Sequence, residues 1–220
     1  MVSGQFENPF TALISGPTMS GKTNTVCTLL REAVKSDLYS RRAGPIYYFY
    51  NLWSPSFYAL VNEKIVTKWF QGPCNMDWIK KNVTPDSNTT IVIDDMGNWL
   101  DQSIVELFTV GAHQLGLNVI FISQSLFSKN AYLRTISTNA THIILQKNPR
   151  DTASIKYLAR QMAPQKADFI VWAYNKATER PYSHFMIDFS QRTIEELRFR
   201  SNVFASNSNP IVVYVREEPD

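Results

Sequence analysis

Near its N-terminal end the chain carries a glycine-rich stretch, residues 16–23, with the sequence GPTMSGKT. This stretch matches the phosphate-binding loop pattern G-x-x-x-x-G-K-[ST] at every fixed position. Residues 10–15 before it are mostly apolar and predict a buried strand, while residues 24–35 after it predict a helix. The alternative is an ordinary Gly/Ser turn between a strand and a helix, and the predicted strand before the stretch and helix after it make that alternative the weaker one. The stretch therefore predicts a strand–loop–helix unit that binds phosphate.

The residue types in this loop suit a nucleoside triphosphate with Mg²⁺. Glycines let successive backbone N–H groups curl around phosphate oxygens, and the positive N-terminal end of the helix adds to the attraction. The pattern places Lys22 to reach the β- and γ-phosphates and places the Thr23 hydroxyl to hold Mg²⁺. The predicted nucleotide-binding residues are Gly16, Pro17, Thr18, Met19, Ser20, Gly21, Lys22, Thr23 and Asn24.

Composition is that of a globular protein long enough for one α/β domain. The 220 residues include 44% hydrophobic and 13% aromatic residues, which excludes a disordered chain. No apolar run approaches the roughly 20 residues of a membrane-spanning helix, and no signal peptide is visible. Cys27 and Cys74 offer neither zinc-ligand spacing nor a disulfide framework, which favours a reducing, intracellular setting. The net charge of +3 permits a nucleic-acid partner without arguing for one.

Strands that alternate with helices predict a three-layer α/β fold with a mainly parallel central sheet. After the first strand, further strands are predicted over residues 46–50, 89–93, 118–123 and 141–145. Helices are predicted over residues 56–68, 77–81 and 103–115, the last with a left-handed cap at Gly116. Asp151 is the expected N-cap of a helix that ends before Pro164.

The C-terminal part predicts an antiparallel hairpin followed by a helix. Apolar runs at residues 169–174 and 185–189 flank a bend and predict the two strands of the hairpin. Residues 193–196 have the capping-box pattern that opens a helix. The apolar run 211–215 predicts either an added strand or a segment on a neighbouring subunit. We therefore expect a nucleotide-binding domain over residues 1–190 and a C-terminal helix and tail over residues 191–220.

Polar residues follow two predicted strands whose carboxyl ends should meet at one edge of the sheet. Asp94 and Asp95 follow the third strand in the pattern of a Walker B site. We expect Asp94 to bind Mg²⁺ mostly through water and Asp95 to be the general base for the attacking water. Gln124 follows the fourth strand and is expected to sense the γ-phosphate and that water. Without the upstream loop, an Asp-Asp turn and a polar strand exit would be ordinary surface features.

Three stretches taken in order, residues 16–23, 91–95 and 119–125, resemble the FtsK–HerA superfamily of DNA-pumping ATPases. Within it the chain is most similar to the poxvirus-type genome-packaging ATPases of double-stranded DNA viruses and virus-like transposons. Further likeness lies in residues 134–142, 147–151 and 158–162. The resemblance covers residues 8–175 and implies a RecA-like (ASCE) P-loop core that uses ATP and Mg²⁺.

The resemblance also implies what the chain works with. It implies a homo-oligomeric ring of five or six subunits around double-stranded DNA, docked on a capsid portal or vertex protein. Such a motor would act in the nucleus or cytoplasm of a host cell, where virions assemble. A neighbouring subunit would supply an arginine to each ATP, with Arg134 preferred over Arg150, although a surface ion pair would suit either residue equally.

Two positions depart from the family pattern. Related pumps often carry an arginine directly after the glycine that precedes the fourth strand, whereas here Gly111 is followed by Ala112 and His113. The role of that arginine is therefore absent or passes to His113 or elsewhere, although a structural histidine is the ordinary reading of His113. The residue after the Walker B aspartate is often glutamate, and Asp95 is one methylene shorter.

Other functional readings are weaker. Candidate DNA contacts are Lys129 in a pore loop and the basic residues Lys147, Arg150, Lys156, Arg160 and Lys166, although a solvated surface residue is the default interpretation of each. His142 and His184 have no partner at metal-ligand spacing. A P-loop kinase would need an arginine-rich lid, and a GTPase would need an aspartate that Asn175-Lys176-Ala177-Thr178 lacks. A cellular or plasmid-type DNA pump or helicase remains the nearest alternative.

Overall fold

The computed structural model describes residues 5–36, 38–96, 99–127, 130–203 and 210–216. The strands in these residues are β1 Thr11–Ser15, β2 Ile46–Tyr50, β3 Lys68–Gln71, β4 Thr90–Asp94, β5 Asn118–Ser123, β6 His142–Gln146, β7 His184–Asp188, β8 Phe199–Ser201 and β9 Val212–Val213. The α-helices are α1 Lys22–Lys35, α2 Phe57–Asn62, α3 Met76–Asn82, α4 Gln102–Glu106, α5 Ala112–Leu115, α6 Ala131–Asn139, α7 Thr152–Met162 and α8 Ala167–Ala177.

All these strands belong to one sheet with the order β3-β2-β4-β5-β1-β6-β7-β8-β9. The pairs from β3 to β6 are parallel, and the pairs from β6 to β9 are antiparallel. The predicted mainly parallel α/β sheet is confirmed. The parallel strands β1, β4 and β5 therefore end at the same edge of the sheet, and each is followed there by one of the predicted polar motifs.

Helices cover both faces of the sheet and give it three layers. Alternate residues of β1 point to opposite faces, so Leu13 packs in one core cluster and Ile14 in the other. The helices α1 and α2 contribute to the second cluster with Leu29 and Leu60, among others. Because both faces are covered, β1 and β4 are buried along their whole length and consist largely of apolar residues.

The predicted C-terminal hairpin is wrong in its first strand. Residues 169–174 lie within α8, where Ile170, Ala173, Tyr174 and Ala177 are buried at the spacing of one helix face. The periodicity of a short apolar run does not distinguish a buried strand from a buried helix, and this run is helical. The predicted second strand exists as β7, which pairs with β6 and β8.

The predicted helix over residues 56–68 is also wrong in its second half. The helix α2 ends at Asn62, and Lys68–Gln71 forms the edge strand β3. Edge strands are short and carry polar ends, so β3 lacks the apolar run that marks the central strands. The helix predicted over residues 103–115 exists as α4 and α5 with a π-helical turn, Leu107–Gly111, between them.

The last elements extend the sheet. The predicted final helix is wrong, because residues 193–196 lead into a single 3-10 turn, Glu195–Leu197, whose start has no side-chain cap. The chain then enters β8, where Phe199 is buried. The run 211–215 contributes β9, which confirms the prediction of a strand in that segment.

Gly116 has the predicted left-handed backbone, with φ of 62°. In the described residues, no helix is long and apolar enough to cross a membrane.

Candidate active site

The phosphate-binding loop lies between β1 and α1 and turns through left-handed backbone at two positions. Gly21 has φ of 97° and Met19 has φ of 65°. Gly16 is buried against β6, and a Cβ atom at this position would lie 2.6 Å from the Cβ of Gln146. The first glycine of the motif is therefore required by close packing, and the second by its backbone conformation.

Lys22 is folded back onto its own loop. Its Nζ donates hydrogen bonds to the carbonyl oxygens of Gly16 at 2.7 Å and Pro17 at 2.8 Å. Burial lowers the pKa of Lys22, while the nearby charges of Asp94 and Asp95 act in the opposite direction. The ammonium group is thus held at the loop by weak acceptors that the oxygens of an anionic phosphate would outcompete.

Two oxygen ligands suited to Mg²⁺ meet at the end of β4. The Thr23 hydroxyl donates to Asp94 Oδ2 at 3.4 Å, and the Tyr48 hydroxyl donates to the same oxygen at 2.8 Å. Burial raises the pKa of Asp94 to about 6 in spite of the Tyr48 hydrogen bond. A buried carboxylate beside a hydroxyl fits a hard cation that takes few protein oxygens and keeps waters and phosphate oxygens. Both residues therefore fit the predicted metal site.

Tyr48 is a site residue that the sequence reasoning missed. It lies in the middle of β2, which the sequence marks only as an aromatic strand. A buried tyrosine needs a hydrogen-bond partner for its hydroxyl, and this requirement is the one feature of the sequence that could have indicated a polar contact for Tyr48. The partner could not be identified from the sequence, because Tyr48 and Asp94 lie 46 residues apart.

Asp95 and Gln124 form a bridge to the tip of the loop. Gln124 Nε2 donates to Asp95 Oδ1 at 3.0 Å, and the Thr18 hydroxyl lies 3.5 Å from Gln124 Oε1. Asp95 has φ of 54°, a left-handed conformation at the point where β4 ends. All three side chains belong to exposed residues. The arrangement presents a carboxylate and an amide to water beside the phosphate-binding loop.

The remaining predicted site residues lie elsewhere. Asn24 is exposed on α1 and accepts a hydrogen bond from the Ser56 hydroxyl. Arg134 on α6 and Arg150 after β6 are exposed, and neither forms an ion pair with a described residue. A role in a neighbouring subunit's site therefore stays a prediction. Lys129 lies outside the described residues.

The histidines are distributed between the surface and the core. His113, expected to be structural, is exposed on α5. His142 is buried with its Nδ1 2.9 Å from the Thr141 hydroxyl. His184 is buried and accepts from the Val203 amide, and burial lowers its pKa to about 4. In the described part of the chain, no three His, Cys, Asp or Glu residues form a metal cluster.

No protein-family model and no curated protein matches the chain. Among solved structures, the cytoplasmic domain of the type VII secretion ATPase EccC from Thermomonospora curvata is similar, with a TM-score of 0.50 and 14% identity over 83% of this chain and 24% of that one. A KaiC-like protein from Pyrococcus horikoshii OT3 has a TM-score of 0.49 and 13% identity over 94% of this chain and 91% of that one. The cytoplasmic domain of EssC has a TM-score of 0.49 and 12% identity over 68% of this chain, which spans only 35% of that domain.

Fold and site together define the class of protein. The likeness to EccC shows a shared P-loop ATPase fold. The phosphate-binding loop, Asp94, Asp95 and Gln124 of this chain meet at one edge of the sheet, where α/β proteins bind ligands. The chain therefore has the fold of P-loop ATPases, with its own phosphate-binding motif and carboxylates at the edge of the sheet where this fold binds ligands.

Proposed function

We propose that this chain hydrolyses ATP with Mg²⁺ at an interface between subunits and uses the energy to move double-stranded DNA. One observation supports the hydrolytic part above all others. Thr23 faces Asp94 at 3.4 Å while Gln124 joins Asp95 at 3.0 Å, so the metal ligands and the water-handling groups lie side by side. This carboxylate–amide pair, exposed to water, favours hydrolysis over transfer to an acceptor by a P-loop kinase.

The residues divide the work of hydrolysis among them. Backbone N–H groups of the loop and the Lys22 ammonium bind the phosphates, and Thr23 with Asp94 would hold Mg²⁺. When bound, Mg²⁺ neutralises charge on the phosphate oxygens. Asp95 accepts a proton from the attacking water, and Gln124 fixes the Asp95 carboxylate and orients the water. The contact between the Thr18 hydroxyl and Gln124 connects this pair to the loop that binds the triphosphate.

The DNA-pumping part of the proposal rests on the ordered resemblance to viral genome-packaging ATPases. On this proposal, subunits form a ring of five or six around duplex DNA, dock on a capsid portal or vertex protein, and work inside the host cell where virions assemble. The exposed cations of α7, Lys156 and Arg160, have the chemistry to contact phosphates without reading bases. A cellular or plasmid-type DNA pump would use the same residues and is the second candidate.

Duplex DNA is therefore expected to stimulate ATP hydrolysis several-fold, in an assembly whose measured mass is that of a ring. The assay compares steady-state phosphate release with and without a long duplex, at low and high salt, because phosphate contacts weaken as salt rises. Lys22→Ala is the control for contaminating ATPases and should have no activity. A rate that is unchanged by duplex DNA at every salt concentration would contradict the DNA-pumping part and leave ATP hydrolysis standing.

Arg134→Ala is expected to lose most ATP hydrolysis and to regain part of it when mixed with Lys22→Ala. Each variant alone should have little or no activity, but in a mixed ring the Lys22→Ala subunit supplies Arg134 to the intact ATP site of its neighbour. Arg150→Ala in the same mixture is the matched control for the other candidate arginine. Mixed rings that form by mass and show no recovery with either arginine variant would exclude both residues as the shared arginine.

A further inference from the structure

Tyr182 lies against the phosphate-binding loop from outside the predicted motifs. It belongs to the turn between α8 and β7, and its ring atom Cδ1 lies 3.2 Å from where a Cβ atom on Gly21 would be. The residue nevertheless remains 71% exposed. Among the described residues, its ring contacts no other aromatic ring. An exposed aromatic face is thus held directly beside the loop that binds the phosphates.

The backbone of Tyr182 is in an unfavourable conformation. Its φ is 62°, in the left-handed region where a tyrosine side chain crowds its own backbone and glycine does not. Strain of this kind persists only where the surrounding structure enforces it, and it is concentrated at functional sites. A ring is therefore kept at a position that the turn alone would give to glycine or asparagine.

Gln146 ties this turn to the phosphate-binding loop. We assign its side-chain amide so that the nitrogen donates to the carbonyl oxygens of Ser20 at 3.3 Å and Ser183 at 3.1 Å, and the oxygen accepts from the Thr25 hydroxyl at 2.7 Å. The opposite assignment would leave the amide oxygen facing carbonyl oxygens. Gln146 is 1% exposed, so this network is buried and fixes the turn, and with it Tyr182, relative to the loop.

The sheet order determines which end of the nucleotide faces Tyr182. Asp94, Asp95 and Gln124 follow β4 and β5, which lie on one side of β1, and they mark the γ-phosphate end of the site. Gln146 and Tyr182 adjoin β6 and β7, on the opposite side of β1. A triphosphate whose last phosphate points toward β4 and β5 therefore directs its nucleoside toward β6 and β7, where the exposed ring lies.

We propose that Tyr182 is the platform on which the base of the bound nucleotide stacks. This inference rests on the proposed ATP-binding function and adds the part of the site that recognises the nucleoside. Stacking needs only the flat face of a base, so the platform favours a nucleotide over a bare polyphosphate without selecting one base. Selection among bases would then depend on groups at the edge of the base.

The test compares two ligands on one set of variants by titration calorimetry with Mg²⁺. Tyr182→Asn removes the ring and suits the left-handed backbone. It should weaken ATP binding about tenfold and leave inorganic tripolyphosphate binding within twofold, whereas Tyr182→Phe should bind both ligands like the wild-type chain. Equal ATP affinity in Tyr182→Asn and wild type would overturn the proposal, as would an equal loss for both ligands, which would mean that Tyr182 only shapes the loop.

Lys22→Ala separates this inference from the proposed function. It should bind both ligands weakly, because it removes a phosphate contact and leaves the ring in place. If wild-type protein bound neither ATP nor tripolyphosphate, the ATP-binding function itself would fail and the platform with it. If wild-type protein bound both ligands and Tyr182→Asn bound ATP as tightly as wild type, the platform alone would be overturned.

Discussion

Asp95→Asn should lower the rate of ATP hydrolysis roughly 10²–10⁴-fold while ATP binding stays close to that of the wild-type chain. Asparagine matches aspartate in shape and can keep a contact with Gln124, which lies 3.0 Å from Asp95 Oδ1. It cannot accept a proton from the attacking water. Among the described residues, Asp95 forms no direct hydrogen bond with the phosphate-binding loop, so its loss should affect turnover and not affinity. Phosphate release in a single turnover measures the first quantity, and titration calorimetry measures the second.

Two further variants make this expectation specific. Asp95→Glu restores the carboxylate one methylene further from the backbone and should recover part of the rate. Gln124→Ala leaves the base in place without its hydrogen-bond partner, so it should cost less than Asp95→Asn. Undiminished hydrolysis by Asp95→Asn would remove the assignment of Asp95 as the general base. A loss of ATP affinity as large as the loss of rate would instead mean that Asp95 acts in binding.

The central strands could be predicted from the sequence because they are buried on both faces. The strands 46–50 and 118–123 have the predicted bounds, because each is a short apolar or aromatic run bounded by polar residues. The same reasoning failed for residues 169–174, because α8 is also apolar on much of its surface. It failed for β3 because an edge strand of four residues carries too weak a pattern.

The candidate site likewise contains residues that a local sequence pattern identifies and residues that only the tertiary fold brings to it. The phosphate-binding loop and Asp94-Asp95 could be predicted from the sequence, because their function depends on residues that are close together along the chain. The roles of Tyr48, Gln146 and Tyr182 could not be predicted, because they depend on which strands lie next to one another in the sheet. The order β2-β4-β5-β1-β6-β7 places Tyr48 on one side of β1 and Gln146 and Tyr182 on the other. Such an order follows from tertiary packing, which no local pattern in a single sequence records.

The buried charge of Asp94 should reduce the stability of the metal-free protein. Its folded pKa of about 6 lies above the ordinary value of 3.8, so the folded state resists ionisation of this carboxyl. Because the pKa of this acid is higher in the folded state than in the unfolded state, the free energy of unfolding falls as pH rises from about 4 through about 6. Above that range the difference of about two pKa units corresponds to about 3 kcal/mol of lost unfolding free energy.

Asp94→Asn should therefore abolish Mg²⁺-dependent hydrolysis and at the same time stabilise the metal-free chain by up to about 3 kcal/mol at pH 7.5. The asparagine oxygen still accepts from Tyr48, so the gain comes from removing the charge and not from new contacts. Urea unfolding in a chelator at pH 7.5 and pH 5 measures the effect, which should shrink at pH 5 as the wild-type carboxyl takes up a proton. Tyr48→Phe is the matched control, since it leaves the charge buried with one donor fewer and should destabilise the chain at pH 7.5. An Asp94→Asn variant that is less stable than wild type at both pH values would contradict this prediction. It would show that hydrogen bonds to the carboxylate offset the cost of its burial.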